Sequence, residues 1–313
     1  MPMWAWILFY ALVIVMLYAD LKLFGRKGQH EVSIGEALKM TAVWIIVSLI
    51  FCGGIWYYEG GNKAMEFLAG YLIEKSLSMD NLFVFLMLFS FFGVQRKYQH
   101  EVLFWGIFGA LILRSIFIFA GAAMVQRFEW ILAVFGVFLI YTGIKMFSHK
   151  DDESVDPSKN IFVKLFKKFF PVTDQMHEDK FFIIENGKRL ATPLFIALLV
   201  IETTDVAFAV DSIPAVFSVS RDPFIVLTSN IFAILGLRAL YFALAAIAQY
   251  FQYLKYGLGI ILSFVGVKML LDVAPDPYHY EVKTPISLLI IFGVLVLSML
   301  ASYAATLYSQ RRQ

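Results

Sequence analysis

The sequence predicts an all-α polytopic membrane protein of about nine transmembrane helices, organised around an inverted three-helix repeat. Three observations predict it. Of the 313 residues, 60% are hydrophobic and only 16% charged, where a soluble domain carries about a quarter charged residues. The apolar residues arrive in runs of about 17–25, enough for a helix to cross a hydrocarbon core roughly 30 Å thick. Two units of three such runs then echo one another. This composition excludes a soluble enzyme, a secreted disulfide scaffold and a disordered chain. A net charge of +2 leaves no electrostatic footprint for nucleic acid.

In chain order the spans fall at about 3–19, 40–58, 67–92, 103–124, 130–147, 191–213, 224–248, 253–271 and 285–308. The first lacks the basic region and small-residue cleavage site of a signal peptide, so Met3–Ala19 reads as a retained span. The second holds the single cysteine, Cys52, which can form neither an intrachain disulfide nor a CxxC pair. The third and sixth carry ionisable residues. Five segments follow: two helices in 1–65, a first repeat in 66–147, a connection in 148–190, a second repeat in 191–272, and a last helix and tail in 273–313.

The 148–190 connection opens with the acidic residues Asp151, Asp152, Glu153 and Asp156, which a solvated stretch explains. Phe162, Leu165, Phe166, Phe169 and Phe170 then recur at i, i+3, i+4, i+7 and i+8, with Lys164, Lys167 and Lys168 between them. That pattern is a basic amphipathic helix suited to an anionic leaflet, the alternative being a helix packed on the bundle. Phe181–Ile184, Asn186-Gly187 and Lys188–Ala191 read as a small hairpin with a type I′ turn.

Basic residues set the orientation. Alternate connections place seventeen Lys and Arg on one side, including Arg26, Lys27, Arg96, Lys97, Arg311 and Arg312. Only Lys63, Arg127, Arg221 and Lys283 fall on the other. The N-terminus is therefore expected outside and the C-terminus in the cytoplasm.

The repeat is legible in short matches. Phe108–Arg114 parallels Phe232–Arg238, and Tyr141–Met146 parallels Phe264–Met269. Glu74 and Asp80 lie six apart, as do Asp205 and Asp211. Chance similarity among Leu/Ile/Phe-rich helices is the rival explanation, but an intramembrane arginine, a late lysine and an acidic pair in the same order oppose it. Units of three spans must insert upside down relative to each other, and such repeats mark transporters with a midplane site.

The third and sixth spans carry five carboxylates: Glu74, Asp80, Glu202, Asp205 and Asp211. Each charge at the bilayer centre costs at least about 2.5–3.5 kcal/mol, so they must pair, protonate or coordinate a cation. Residues six apart point about 120° from each other and lie about 9 Å apart along a straight helix. The carboxylates are thus expected to converge only where the helices are broken, and Pro214, which leaves the Val210 carbonyl without its helical partner, supplies a break in the sixth span. With the Asn81 amide and the hydroxyls of Ser78, Thr204 and Ser212, the candidate ligands are all oxygens, which favours Mg, Ca or Mn over Cu(I) or Zn. Met79 is a packing residue or a soft contact that distinguishes manganese. Arg114 and Arg238 are expected to hold some carboxylates while the rest bind the cation, with a purely structural ion-pair lattice as the alternative. Lys75 reads as snorkelling or pairing with Glu74, and the five histidines lie in connections.

The stretches Glu74-Lys-Ser-Leu-Ser-Met-Asp80-Asn81-Leu-Phe-Val-Phe85 and Glu202-Thr-Thr-Asp205-Val-Ala-Phe-Ala-Val-Asp211-Ser-Ile-Pro214 closely resemble the signatures of the TerC family of tellurium-resistance membrane proteins, most of all its Alx branch. The likeness covers nearly the whole chain, including Glu185–Arg189 ahead of Thr192-Pro193. The resemblance implies an inner-membrane protein linked to manganese export and to metal supply for exported enzymes, dependent on Glu74, Asp80, Glu202, Asp205 and Asp211; members are also described as redox modulators, a label that the lone Cys52 opposes.

Together these readings predict a non-enzymatic exporter of divalent metal, Mn2+ foremost, with metal ligands Glu74, Asp80, Asn81, Glu202, Asp205 and Asp211. No cofactor is expected, and the partners are the metal ion as substrate and the bilayer. The rivals are Ca2+ or another cation/proton exchange, and a non-transporting partner that supplies metal to exported enzymes.

Overall fold

The computed structural model describes residues 2–25, 34–128, 130–148, 161–173, 175, 177, 180–185, 187–247, 254–275, 278–280 and 282–310. Its elements are α1 (Met3–Gly25), α2 (Ile34–Glu59), α3 (Gly61–Phe91), α4 (Arg96–Arg127), α5 (Ile131–Ser148), α6 (Ile161–Phe169), β1 (Phe182–Glu185), β2 (Lys188–Ala191), α7 (Pro193–Phe217), α8 (Pro223–Leu235), α9 (Leu237–Ile247), α10 (Leu254–Asp272) and α11 (Thr284–Gln310). The protein is an all-α polytopic membrane protein. Among the described residues, five helices are long and apolar enough to cross a bilayer (α1, α2, α4, α7 and α11), and α8 with α9 makes a sixth if that bent pair is one span. The other three expected spans coincide with α3, α5 and α10. Composition alone does not carry α3, whose length is interrupted by Glu74, Lys75 and Asp80.

Local chemistry sets the helix ends. Gly60, at φ 88°, separates α2 from α3 in a conformation that side chains disfavour. Past the other end of α3, Gly93 at φ 62° donates to Ser90 while the Val94 N–H donates to the Phe89 carbonyl, closing the last turn. Pro193 opens α7 at a position whose N–H needs no helical partner. Asp222 caps α8 by accepting from the Phe224 N–H at 2.9 Å.

The expected break at Pro214 is corrected, as is the reading of Lys75. α7 runs through Pro214 without interruption: the proline lies in the last turn, and Ser212–Phe217 are all buried, so packing holds the backbone there. The break falls instead at Gly236, where α8 and α9 meet at 41°. A Cβ at Gly236 would sit 3.0 Å from both the Lys75 Nζ and the Trp44 Cβ. Lys75 fills that notch and donates to the Ala233 carbonyl at 3.1 Å, an acceptor at the C-terminal end of α8. It neither snorkels nor pairs with Glu74.

The packing has the symmetry of the repeat, in which α3 corresponds to α7, α4 to α8–α9 and α5 to α10. The pairs α3–α8 and α4–α7 exchange under it, and α3–α7, α4–α8 and α5–α10 map onto themselves. The α5–α10 seam is antiparallel and joined by glycines: a Cβ at Gly136 would lie 2.8 Å from the Gly266 carbonyl, and one at Gly143 would lie 2.7 Å from the Gly259 carbonyl. Small residues allow this backbone approach between membrane helices. Gly136 and Gly259 are equivalent in the repeat, as are Gly143 and Gly266, so the two contacts are images of one another.

In the connection, β1 and β2 pair antiparallel from Phe182 with Ala191 to Glu185 with Lys188. Gly187 has φ 76°, as the expected turn requires. Asn186, the acidic stretch 151–156 and the tail residues Arg311 and Arg312 lie outside the described residues.

Candidate functional site

At the centre of the bundle three helices bring one arginine to two carboxylates. Arg114 of α4 is fully buried, as is Glu74 of α3, while Asp205 of α7 is 4% exposed. The guanidinium grips Asp205 in a two-pronged arrangement, Nε to Oδ2 at 3.0 Å and Nη2 to Oδ1 at 2.8 Å. Its Nη1 donates to Glu74 Oε1. Planar fork and planar carboxylate match, which makes this geometry directional as well as strong. Glu74 also accepts from the Asn230 amide of α8 at 2.8 Å and from the Ser78 hydroxyl at 3.3 Å. No helix break is needed for this convergence, because each carboxylate reaches the arginine from its own continuous helix.

Glu202 lies one turn before Asp205 on α7 and packs against α4, where a Cβ on Gly109 would collide with its carboxylate. Glu202 Oε2 is a buried atom with no hydrogen-bond partner. The local charge is therefore unbalanced. Arg114 pairs with Glu74 and Asp205, and among the described residues no cation pairs with Glu202.

Asp211 and Asn81 stand apart from this cluster. They line a cavity of about 360 Å³ together with Thr142 and Lys145 of α5, Lys255 of α10, and the apolar side chains of Leu77, Met146, Phe208 and Leu262. Thr142 and Lys145 belong to the matched stretch of the first repeat. Asp80 lies on α3 beside Asn81, and its side chain is outside the described residues. Met79 is buried in the hydrophobic core, as the packing reading requires. The predicted ligands thus fall into two groups, Glu74 with Asp205 and Glu202 near Arg114, and Asn81 with Asp211 on the cavity. Among the described residues, no three His, Cys, Asp or Glu side chains gather closely enough to hold one ion.

Arg238 does not repeat the role of Arg114. Its Nη1 donates to Asp20 of α1 at 3.0 Å, and both side chains are nearly inaccessible, at 3% and 7% exposed. Sequence reasoning missed Asp20, which stands at the edge of the first apolar run and reads there as a boundary residue. It also missed Asn230, which is far from Glu74 in sequence and has no periodic signal. A lone acid ending an apolar span and an asparagine inside one are the cues that could have found them.

Comparisons with known proteins agree with the bundle. The integral membrane protein TerC family model matches residues 59–312. An uncharacterised membrane protein of Myxococcus xanthus is 48% identical over 298 residues, covering 95% of this chain and 91% of its own. An Escherichia coli protein named Alx, described as a candidate membrane-bound redox modulator, is 47% identical over 300 residues, covering 93% of this chain and 92% of its own. A membrane protein of Rickettsia bellii is 40% identical over 301 residues, covering 95% and 96%. No solved structure matches the chain.

Proposed function

From the premise that the chain belongs to the integral membrane protein TerC family, we propose that it exports a divalent metal ion, Mn2+ foremost, across the bacterial inner membrane and catalyses no reaction. The observation that carries this reading is the surplus of buried carboxylate. Glu74 and Asp205 share the Arg114 guanidinium while Glu202 keeps a buried oxygen without a partner, and a buried excess charge must take up a proton or a cation. The ligands on offer are carboxylate, amide and hydroxyl oxygens, the hard donors that suit Mg, Ca and Mn.

In this reading Arg114 fixes Glu74 and Asp205 and so holds α3, α4 and α7 in register, while Asp211, Asn81 and Asp80 meet the travelling ion. The cavity at Asp211 is lined by the C-terminal end of α5 and the N-terminal end of α10, next to the connection expected in the cytoplasm. An ion would enter there. With the N-terminus outside and the C-terminus inside, that end of the bundle would face the cytoplasm, the side from which an exporter loads.

The test is cellular manganese after a manganese load, normalised to the amount of protein in the membrane. Asp211→Asn and Asp80→Asn should each abolish efflux while the protein still inserts. Normal efflux in either would remove that residue from the site, and normal efflux in both would end the proposal. Flux by the purified protein in liposomes, with Mn2+ against Ca2+, separates the rival ions, and absence of flux for any metal would favour a non-transporting partner. The redox reading has its own test. Cys52 donates to the Ala64 carbonyl at 3.5 Å and has no second thiol in the chain, so Cys52→Ser should leave activity unchanged.

A further inference from the structure

α6 packs beside the N-terminal part of α7 and takes no part in the carboxylate cluster. At about 100° per residue its side chains sort into three sectors. One faces the bundle: Val163 is 3% exposed, and the Phe166 ring lies 5.1 Å from that of Phe195 on α7. The next holds Ile161, Phe162, Leu165 and Phe169, all turned outward, with Leu165 55% and Phe169 69% exposed. The third holds Lys164, Lys167 and Lys168, also exposed. A helix that only needed to cover the bundle would have one apolar face. This one has two, side by side, with the lysines completing the circle.

The helix is held in place by the hairpin. The Ala191 N–H donates to the Pro171 carbonyl at 3.0 Å, the Thr173 N–H donates to the Ala191 carbonyl at 2.9 Å, and Phe182 packs 4.6 Å from Phe195. α7 begins two residues after Ala191, so α6 sits at the level where a membrane-crossing helix starts. Its outward apolar sector is therefore presented at the boundary between acyl chains and headgroups, with three ammonium groups beside it.

We propose that α6 is a lipid-surface anchor: Ile161, Phe162, Leu165 and Phe169 enter the outer acyl region of an anionic leaflet, Lys164, Lys167 and Lys168 bind its phosphates, and the hairpin transmits that hold to the start of α7. The charge and the apolar sector together choose the occupant, since either alone would suit a soluble partner as well. The anchor is independent of which ion the bundle carries.

Spin labelling of the full chain in vesicles tests it. On a Cys52→Ser background a nitroxide is placed at Leu165→Cys or at Lys167→Cys, with Leu8→Cys on α1 as a lipid-facing reference and a check of insertion. In vesicles of phosphatidylethanolamine and phosphatidylglycerol, the label at 165 should collide more with oxygen than with a water-soluble nickel chelate, as the reference does, and the label at 167 should show the reverse. In phosphatidylcholine vesicles the preference at 165 should fall, and each Lys→Gln change at 164, 167 or 168 should reduce the advantage of anionic lipid by roughly fivefold. Equal water access at 165 and 167 in the anionic vesicles, the result a soluble protein partner predicts, would overturn the anchor. Insertion that ignores both headgroup charge and the lysine substitutions would overturn the phosphate contacts.

Discussion

Arg114 donates to Glu74 and Asp205 with all three side chains out of water, so each partner's charge depends on the others. Asp205→Asn or Arg114→Gln should each cost about 3–5 kcal/mol, the penalty of leaving a buried charge unpaired. Thermal melting in detergent should show the pair of substitutions costing less than their sum. Asp211→Asn, at the cavity, should melt near the parent. A melting loss there as large as at Asp205 would make Asp211 part of the ion-pair lattice. Gly109 gives a second residue-scale test. Gly109→Ala drives a methyl into the Glu202 carboxylate and should lower stability by about 1–3 kcal/mol, with Glu202→Ala restoring most of it. The sequence announced the arginine and the carboxylates, because charge inside an apolar run demands a partner. It could not announce which arginine would take two carboxylates of the repeat and which would turn to Asp20, since Glu74 and Asp205 meet across 40 and 91 positions from Arg114.

The helices themselves were legible at every expected span, because apolar runs of that length have few other fates. Their breaks were not. Pro214 is the residue that sequence rules single out, yet the bend is at Gly236, where a lysine from α3 comes within hydrogen-bonding reach of the backbone. A glycine in an apolar helix signals close approach without naming what approaches. Lys75→Met should leave the Ala233 carbonyl unpartnered and cost about 1–3 kcal/mol, read as a lowered melting temperature. Efflux per folded molecule should stay unchanged, since the lysine serves the helix end. A drop in that ratio would place Lys75 in the transport path.

Over the whole molecule, equivalence of the two copies makes a quantitative claim. Gly136→Ala should lower the melting temperature about as much as Gly259→Ala, and Gly143→Ala about as much as Gly266→Ala, because each pair makes the same seam contact from opposite sides. Gly53→Ala and Gly293→Ala, where an added methyl meets nothing within 4 Å, should be near neutral. Strongly unequal effects within a pair would mean that the symmetry is one of sequence and not of packing. A reporter fused after Gln313 should read cytoplasm and one inserted between Asn62 and Lys63 should read the exterior. A periplasmic C-terminus would overturn the nine-span count or its orientation. The repeat was readable from a handful of matched residues, whereas the role of the glycines was not, because small residues in a hydrophobic helix look like filler until the opposite backbone is in place.

The unequal use of the two arginines has a further consequence, for what happens to a duplicated part. Because Arg114 serves Glu74 of one copy and Asp205 of the other, its counterpart is not needed for those two carboxylates. Arg238 instead holds Asp20, and through it the first helix, which belongs to neither copy. Redundancy at the centre thus became attachment at the edge. Two copies that kept strict symmetry would have had no spare guanidinium with which to bind a helix added outside the repeat.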